Sequence, residues 1–495
     1  MAGIIGYGVT IPKKRISTKS IAKIWPGGGI AAGIKEKSVA AEDEDIVTLA
    51  VEASFNALKH AGLSASDIGA LYLGTVSSQY IDKSSAILIA EAIGISCDVK
   101  IADFGGSVRA GSAAFLGCAG LIDSKKIKYG LAIGADCQAG EMGSQLETAY
   151  GAGAAAFILG ADDVIAELGG CASQSTSLNT TWRVAGKDYV NFYDDARFHR
   201  TAGYFTHIKQ AIGKCLAETN LKPEDISYLA VSQPDGKSPV DVAKSLKFKP
   251  EAASFTILSP MMGDVGSASS LIALAAALDN ARPDEKILVA SYGSGAGSDA
   301  FIVTAKEGIN AKRGRITPVQ NYFEENSKQY IEYIQYEKIK GRLKSQALPE
   351  PMSSVDSSPS LWRDKDFVFG LMALKCSKCG SINFPRRNIC VEKDCRSRQF
   401  EKVPLPRCGV IETFFHQYVV YLDPEQAPFP MCIARLAGKQ EEYGGKVTAM
   451  MVDSPMEDVK VGAKVELVLR RHGIENDIVK YGYKFRLIKE DKVGG

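Results

Sequence analysis

The chain has 495 residues, a formal net charge of +2, 45% hydrophobic residues and 23% charged residues. That length exceeds one small core and predicts two or three domains. The near-neutral charge gives no reason to expect nucleic acid or a membrane surface as a partner, and no apolar run approaches the roughly 20 residues of a membrane span. The opening MAGIIGYGVTIPKKR reads as a first strand turned by Pro12, without the apolar core or cleavage site of a signal peptide; the expected compartment is the cytoplasm.

Residues 1–305 contain an internal repeat. VTLAVEASFNALKHAGLSASDIGALYLGTVSS predicts a helix, an acidic turn and a strand, and YFTHIKQAIGKCLAETNLKPEDISYLAVSQPDG repeats that layout. Next, SAAFLGCAGLIDSKKIKYGLAIGADCQAG gives an apolar helix and a buried strand, matched by SASSLIALAAALDNARPDEKILVASYGSGAGSDAFIV. Helices with Ala and Leu on nearly every face are buried all round, and continuous apolar strands belong to sheets covered on both faces. The predicted fold class is α/β: two duplicated halves, about 1–165 and 166–305, in α-β-α-β-α layers. Cys97, Cys118, Cys137, Cys171 and Cys215 are scattered singly here and read as buried free thiols.

Residues 306–370 read as a connector. NYFEENSKQYIEYIQYEKIKGRL has helical spacing, and SQALPEPMSSVDSSPS reads as an extended linker. Residues 371–402 carry Cys376, Cys379, Cys390 and Cys395 in a C-x2-C-x10-C-x4-C pattern. Four thiolates fill a tetrahedral zinc site and leave no open position, so a structural ion in a ribbon is expected. Gly380 and Phe384-Pro385-Arg386-Arg387 suit its knuckles. Residues 403–495 alternate short strands at regular spacing, which predicts a small β-barrel.

A ribbon leading into a small barrel resembles the DUF35-type acyl-CoA-associated proteins, a zinc ribbon fused to an OB-fold. That resemblance implies a module that accompanies thiolase-fold enzymes and shapes their CoA channel. An OB-fold can also bind oligonucleotides, but these strands are aliphatic rather than basic and aromatic, which argues against nucleic acid.

The IIGYG opening, DEDIVTLAVEAS, WRVAGKDY, ARF, GYFTHI, SQPDGKSPVDVAK and SYGSGAGSDAF together resemble the archaeal-type 3-hydroxy-3-methylglutaryl-CoA synthases. The resemblance implies the thiolase fold and a homodimer or higher oligomer acting on acyl-CoA. It also implies condensation of acetyl-CoA with acetoacetyl-CoA by a glutamate, a cysteine and a histidine: the thiolate carries the acetyl group, the carboxylate removes its proton, and the imidazole assists the acceptor carbonyl. Position by position, the family's glutamate falls on Val76, its cysteine on Val108 and its histidine on Ser232; a neutral asparagine falls on Asp264. No valine is a nucleophile or a base. Ser107, one residue before Val108, reads as a turn or helix cap. The helix end beside Val108 can still hold an oxyanion through backbone N–H groups.

Tyr80, Tyr150, His207, Ser232 and Asp264 lie in segments that the resemblance places around the pocket and are the candidate acid–base groups. An aspartate buried there has a raised pKa and suits general acid–base work. Arg197 and Lys237, and less strongly Arg109, are candidates for the CoA phosphates, with Ser294 and Gly295 of the glycine-rich loop beside them. Three readings follow. The first is aldol or retro-aldol chemistry on a β-hydroxyacyl-CoA without an acyl-enzyme, as in thiolase-fold relatives that lack the cysteine. The second is a non-catalytic CoA-binding scaffold for a separate thiolase-type partner. The third is a genuine synthase-type condensing acyltransferase.

Overall fold

A computed structural model describes residues 1–193, 195–343, 358–418, 428–437, 443–475 and 477–488. The chain forms two compact units, Met1–Leu343 and Lys344–Gly495.

The first unit is built on nine strands: β1 (Gly3–Thr10), β2 (Ile68–Gly74), β3 (Lys100–Phe104), β4 (Tyr129–Asp136), β5 (Gly153–Gly160), β6 (Ala166–Ser175), β7 (Tyr228–Val231), β8 (Lys286–Gly293) and β9 (Gly297–Ala305). Their order is β7-β8-β9-β6-β1-β5-β4-β2-β3. Read outward from the centre, β1-β5-β4-β2 and β6-β9-β8-β7 are the same arrangement, parallel only at the outer pair in each half. The halves meet where Gly3 and Ile4 pair with Glu167 and Ala166. The duplication predicted from the sequence is therefore a duplication of topology, with β3 added to one edge.

Four helices cover these strands: α1 (Ile46–Ala61), α2 (Ala110–Asp123), α3 (Thr206–Thr219) and α4 (Ser269–Asn280). The sequence DEDIVT starts α1 because the Asp45 carboxylate accepts from the N–H groups of Val47 and Thr48, while the Thr48 hydroxyl accepts from the Asp45 N–H. Helix α1 packs on β1 and β5, and α3 takes the equivalent place on β6 and β9. Helices α2 and α4 meet between the halves, so close that a side chain on Gly111 would collide with the Ser267 carbonyl. The halves interlock through Phe115 of α2, which lies 5.0 Å from Phe301 and 5.6 Å from Phe157, centroid to centroid. Phe157 and Phe301 occupy the fifth position of their equivalent strands.

Within the segment read as a connector helix, only Tyr333–Ile339 is α-helical. Before it, Gln329–Tyr330 pairs with Lys14 and Arg15 on a small sheet of the first unit. Tyr333 and Tyr336 bury their rings against Ile16, Ile21 and Val39. The aromatic stripe seen in the sequence thus serves packing onto the first unit. All eleven cysteines are free; Cys118 and Cys215 are buried, but Cys97 and Cys171 are exposed, contrary to the expectation of buried thiols.

In the second unit, Met372–Cys376 pairs with Ile382–Asn383 and Phe400–Pro404. A five-stranded antiparallel sheet follows, in the order Tyr443–Met450, Phe429–Ala437, Cys408–Gln417, Lys464–Glu475, Ile478–Leu487. A bridge from Met451 to Phe485 brings the two edges together. Leu371, Ala373 and Leu405 share a core with Ile411, Leu436, Leu467 and Phe485.

Candidate active site

A cavity of about 640 Å³ opens in the first unit, within the size range of small-molecule sites. Several elements supply its wall: the turn before α2 gives Val108, the short helix Gln145–Ala149 and its end give Leu146 and Tyr150, the end of β7 gives Ser232, and the loop before α4 gives Asp264. Arg197, Arg200 and Lys237 line it as well and are exposed, so they form a cationic rim.

Six of the candidate residues share this cavity with Val108: Tyr150, Arg197, Ser232, Lys237, Asp264 and Ser294. Asp264 is half-buried; its Oδ1 accepts from the Gly266 N–H at 2.9 Å. Burial, and then the carboxylates of Asp136 and Asp235, push its pKa up to about 7, against the opposing hydrogen bond. Tyr150 is buried beside it, joined through backbone bonds from the Gly151 N–H to the Asp264 carbonyl and from the Asp264 N–H to the Ala149 carbonyl. Burial raises the Tyr150 pKa, with Asp264 adding to the effect. Ser232 is held twice: its Oγ accepts from the Tyr292 N–H at 3.0 Å, and its carbonyl accepts from the Tyr204 hydroxyl at 2.6 Å. Ser294 Oγ accepts from the N–H groups of Thr180 and Thr181.

Tyr80, His207, Gly295 and Val76 do not line the cavity. Tyr80 lies half-buried with the Lys83 ammonium 4.7 Å from its ring. His207 is a structural residue: its Nδ1–H donates to the Gly203 carbonyl one helical turn back, and its ring stacks on Tyr292 at 5.8 Å. The Gly295 N–H is spent on the Leu178 carbonyl. Arg109 is not a free cation for phosphate, because it makes a bidentate pair with buried Asp299 at 2.6 and 2.8 Å. Ser107 is a cap: its Oγ accepts from the Arg109 N–H, and its carbonyl accepts from the Ala110 N–H. Gly293 explains part of the glycine-rich loop, since a Cβ there would meet Ser107 Oγ at 2.1 Å and Arg109 N at 2.8 Å. The N–H groups of Arg109 and Ala110 are thus both spent on Ser107.

Two groups escaped sequence reading. Asp136, at the end of β4, is fully buried and accepts from the Thr75 and Ser77 hydroxyls and from the N–H groups of Val76 and Ser267. It ties the segment Thr75–Ser77 after β2 to the turn that leads into α4. His199 lines the cavity from a widened π-type turn, His199–Phe205, that runs directly into α3. Its sequence neighbours ARF and GYFTHI are conspicuous, but nothing in HRTA signals which way that turn aims the ring. Neither residue had a spacing signature; chain folding alone brings them in.

In the second unit, the Sγ atoms of Cys376, Cys379, Cys390 and Cys395 all lie within 4.8 Å of one another. Cys376 to Cys395 is 3.6 Å and Cys379 to Cys390 is 3.5 Å. Four sulfurs about 2.3 Å from one tetrahedral ion are about 3.8 Å apart, so this donor set fits a zinc-sized thiophilic ion.

Comparison with known proteins places these features in context. The 3-oxoacyl-[acyl-carrier-protein] synthase III C-terminal family matches residues 216–305. A hydroxymethylglutaryl-CoA synthase of Methanopyrus kandleri is 43% identical over 346 residues, which is 69% of this chain and 98% of that protein. The one from Methanocaldococcus jannaschii is 42% identical over 348 residues, 70% of this chain and the whole of that protein. Among solved structures, an HMG-CoA synthase complexed with CoA superposes with a TM-score of 0.61 at 19% identity, over 70% of this chain and 92% of that one. A 3-oxoacyl-[acyl-carrier-protein] synthase III from Aquifex aeolicus gives 0.54 at 21% identity, over 61% of this chain and all of that one. Both share the fold of the duplicated α/β unit.

Proposed function

The chain belongs to the hydroxymethylglutaryl-CoA synthase family, and from this membership we propose that its first unit binds a CoA thioester and makes or breaks a carbon–carbon bond beside the thioester carbonyl. The relatives' name favours the condensing direction, in which a thioester enolate adds to a ketone. The observation that carries the chemistry is one cavity that holds Val108, Ser232 and Asp264 together behind a rim of Arg197, Arg200 and Lys237. The exposed cations suit the phosphates of CoA, and the depth of the cavity suits the acyl end.

With valine at 108 and Ser107 spent as a cap, no thiol or hydroxyl stands ready at the helix end to accept the acyl group. The acyl group therefore stays on CoA. Asp264, with a pKa near 7, is a base at neutral pH. It takes a proton from the carbon next to the thioester; that carbon bonds to the carbonyl carbon of the acceptor, whose oxygen takes up a proton. The product is a β-hydroxyacyl-CoA, and no free CoA thiol is released. In reverse, Asp264 takes the β-hydroxyl proton as the same bond breaks. A genuine acyl-enzyme synthase would instead release one CoA thiol per turnover.

That difference is the test. The purified protein is incubated with acetyl-CoA plus acetoacetyl-CoA, and separately with branched β-hydroxyacyl-CoA thioesters, with thiol release and product masses followed together. A new or shortened acyl-CoA without thiol release supports the proposal. Thiol release in step with product supports the acyl-enzyme synthase. Binding of CoA with no turnover supports a second reading, a CoA-binding subunit of a larger thiolase-type assembly, which the missing polar groups at Val76, Val108 and Ser232 favour. For the second unit, the four thiols and the curled five-stranded sheet support a structural zinc ribbon followed by an OB-type barrel. Bound zinc would fix the ribbon's fold and supply no chemistry to the substrate.

A further inference from the structure

His199 is a feature of the first unit that packing does not explain; Gln138 Oε1, in the same cavity wall, is also buried without a partner among the described residues. The His199 Nδ1 is buried, with no hydrogen-bond partner among the described residues. Leaving a buried polar atom unpaired costs about 1–3 kcal/mol, so a histidine kept only for packing is an unfavourable choice there. His207, eight residues on, shows what a structural histidine looks like here, with its Nδ1–H bonded and its ring stacked. His199 also sits at the first position of the π-type turn His199–Phe205, a form of backbone that re-aims side chains and is common at functional sites.

The ring lines the cavity that holds Ser232 and Asp264. Ser232 is the position onto which the resemblance carries the family's histidine, so an imidazole is absent from the end of β7 but present on a neighbouring wall. The other titratable groups lining the cavity are Tyr150, Tyr193, Arg197, Arg200, Tyr204, Asp235, Lys237, Asp264 and Tyr292. Burial holds the imidazole pKa below its ordinary value, opposed by the Asp235 carboxylate, so the ring is neutral at pH 7. With no acceptor for an Nδ1 proton among the described residues, the single ring proton is assigned to Nε2.

We propose that His199 is a catalytic residue: its Nε2–H donates a hydrogen bond to the reacting carbonyl oxygen of the acyl-CoA, the place where negative charge gathers as the carbon–carbon bond forms or breaks. A neutral imidazole in this role stabilises the oxyanion as an electrophile and does not need to lose its proton. The inference rests on the proposed carbon–carbon chemistry, but its test has a separate arm.

The chain has five histidines, so protein labelled with ¹⁵N at histidine gives a resolvable imidazole spectrum, with His199 assigned from His199→Gln. The expected result is a neutral Nε2–H tautomer for His199 from pH 6 to 8. Its Nε2 resonance shifts on adding acetoacetyl-CoA and not on adding CoA alone. His199→Phe, which removes the unpaired nitrogen, unfolds at the same temperature as the wild type or higher, while kcat falls at least about 100-fold and the Kd for acetoacetyl-CoA changes less than about 3-fold. An Nδ1–H tautomer, or a resonance indifferent to a bound acetoacetyl group, overturns the proposal. So does a less stable His199→Phe, which marks a wall residue. Wild-type protein that binds acetoacetyl-CoA but turns over nothing rejects the carbon–carbon chemistry, and the spectrum still decides the role of His199. Absence of acetoacetyl-CoA binding rejects both.

Discussion

Replacing Asp264 by asparagine stabilises the first unit at neutral and alkaline pH and leaves it unchanged in acid. The folded-state pKa stands near 7 against an ordinary value of 3.8. Folding therefore costs nothing extra below about pH 4, where the carboxyl is protonated in both states. The cost grows as pH rises, because the unfolded chain gives up the proton first, and it levels off above pH 7. About three pKa units correspond to a ceiling of about 4 kcal/mol. Asp264 is only half-buried and faces a cavity that admits water, so about 1–3 kcal/mol is the working expectation. Asparagine keeps the oxygen that accepts from the Gly266 N–H, which isolates the charge as the quantity changed. The two-unit chain makes a single global unfolding curve ambiguous. Amide exchange of peptides from α2 and α4, buried between the halves, reports opening of the first unit directly. The ratio of wild-type to variant exchange rates, taken at each pH, should rise from about 1 at pH 3 to roughly 5–150 at pH 8. A ratio that stays flat across that range would refute the reasoning, because Asp264 would then titrate like an exposed carboxylate.

Val108→Cys should restore a thiol to the helix end and yield a protein carrying one acetyl group after incubation with acetyl-CoA, seen by intact mass. Synthase turnover should remain absent, because Val76 and Ser232 supply no base or imidazole. Asp299→Asn breaks a buried bidentate pair with Arg109 and also disturbs bonds from the Ser112 and Ser173 hydroxyls; a loss of about 3–5 kcal/mol is expected from exchange of the same α2 and α4 peptides. Arg197→Ala and Lys237→Ala should each weaken CoA binding roughly 3–10-fold in low-salt calorimetry, with the effect shrinking at high ionic strength as exposed charges are screened. Cys376→Ser should lower bound zinc below one ion per chain by elemental analysis and abolish exchange protection of residues 372–376, since metal binding supplies the folding free energy of so small a ribbon.

Much of the first unit could be read from periodicity because its halves repeat both pattern and topology. The apolar run that became α4 is buried from Ser269 to Leu278, whereas α2, expected to be buried all round, leaves Gly120 and Asp123 exposed. The candidate site was legible only where a position could be compared with a family pattern: Val108, Ser232 and Asp264 line the cavity as expected. What failed were side chains whose direction depends on local backbone. His207, a candidate better suited to a structural role than to a catalytic one, has its ring turned back onto Gly203 by the helix. Arg109 looked like a phosphate ligand until β9 brought Asp299 beneath it. His199 could not be distinguished at all, because only a π-type turn decides which wall its ring joins.

Under the proposed chemistry, valine at the start of α2 means a change of mechanism and not of one atom. A nucleophile there would draw on the N–H groups of the following residues. Here the Arg109 N–H is taken by Ser107 Oγ, the Ala110 N–H by the Ser107 carbonyl, and the Arg109 side chain by Asp299 and the Ala296 carbonyl. These two N–H groups and the Arg109 guanidinium are thus spent on neighbouring protein groups. Polar groups that can still reach a bound acyl chain come from elsewhere: Asp264 from the loop before α4, Tyr150 from the end of Gln145–Ala149 and His199 from the turn before α3. They line the cavity from elements other than the turn that holds Val108. Charge that develops on a thioester held there is met by a base and a neutral donor, an arrangement that suits an enolate kept on CoA better than an acyl group passed to the protein.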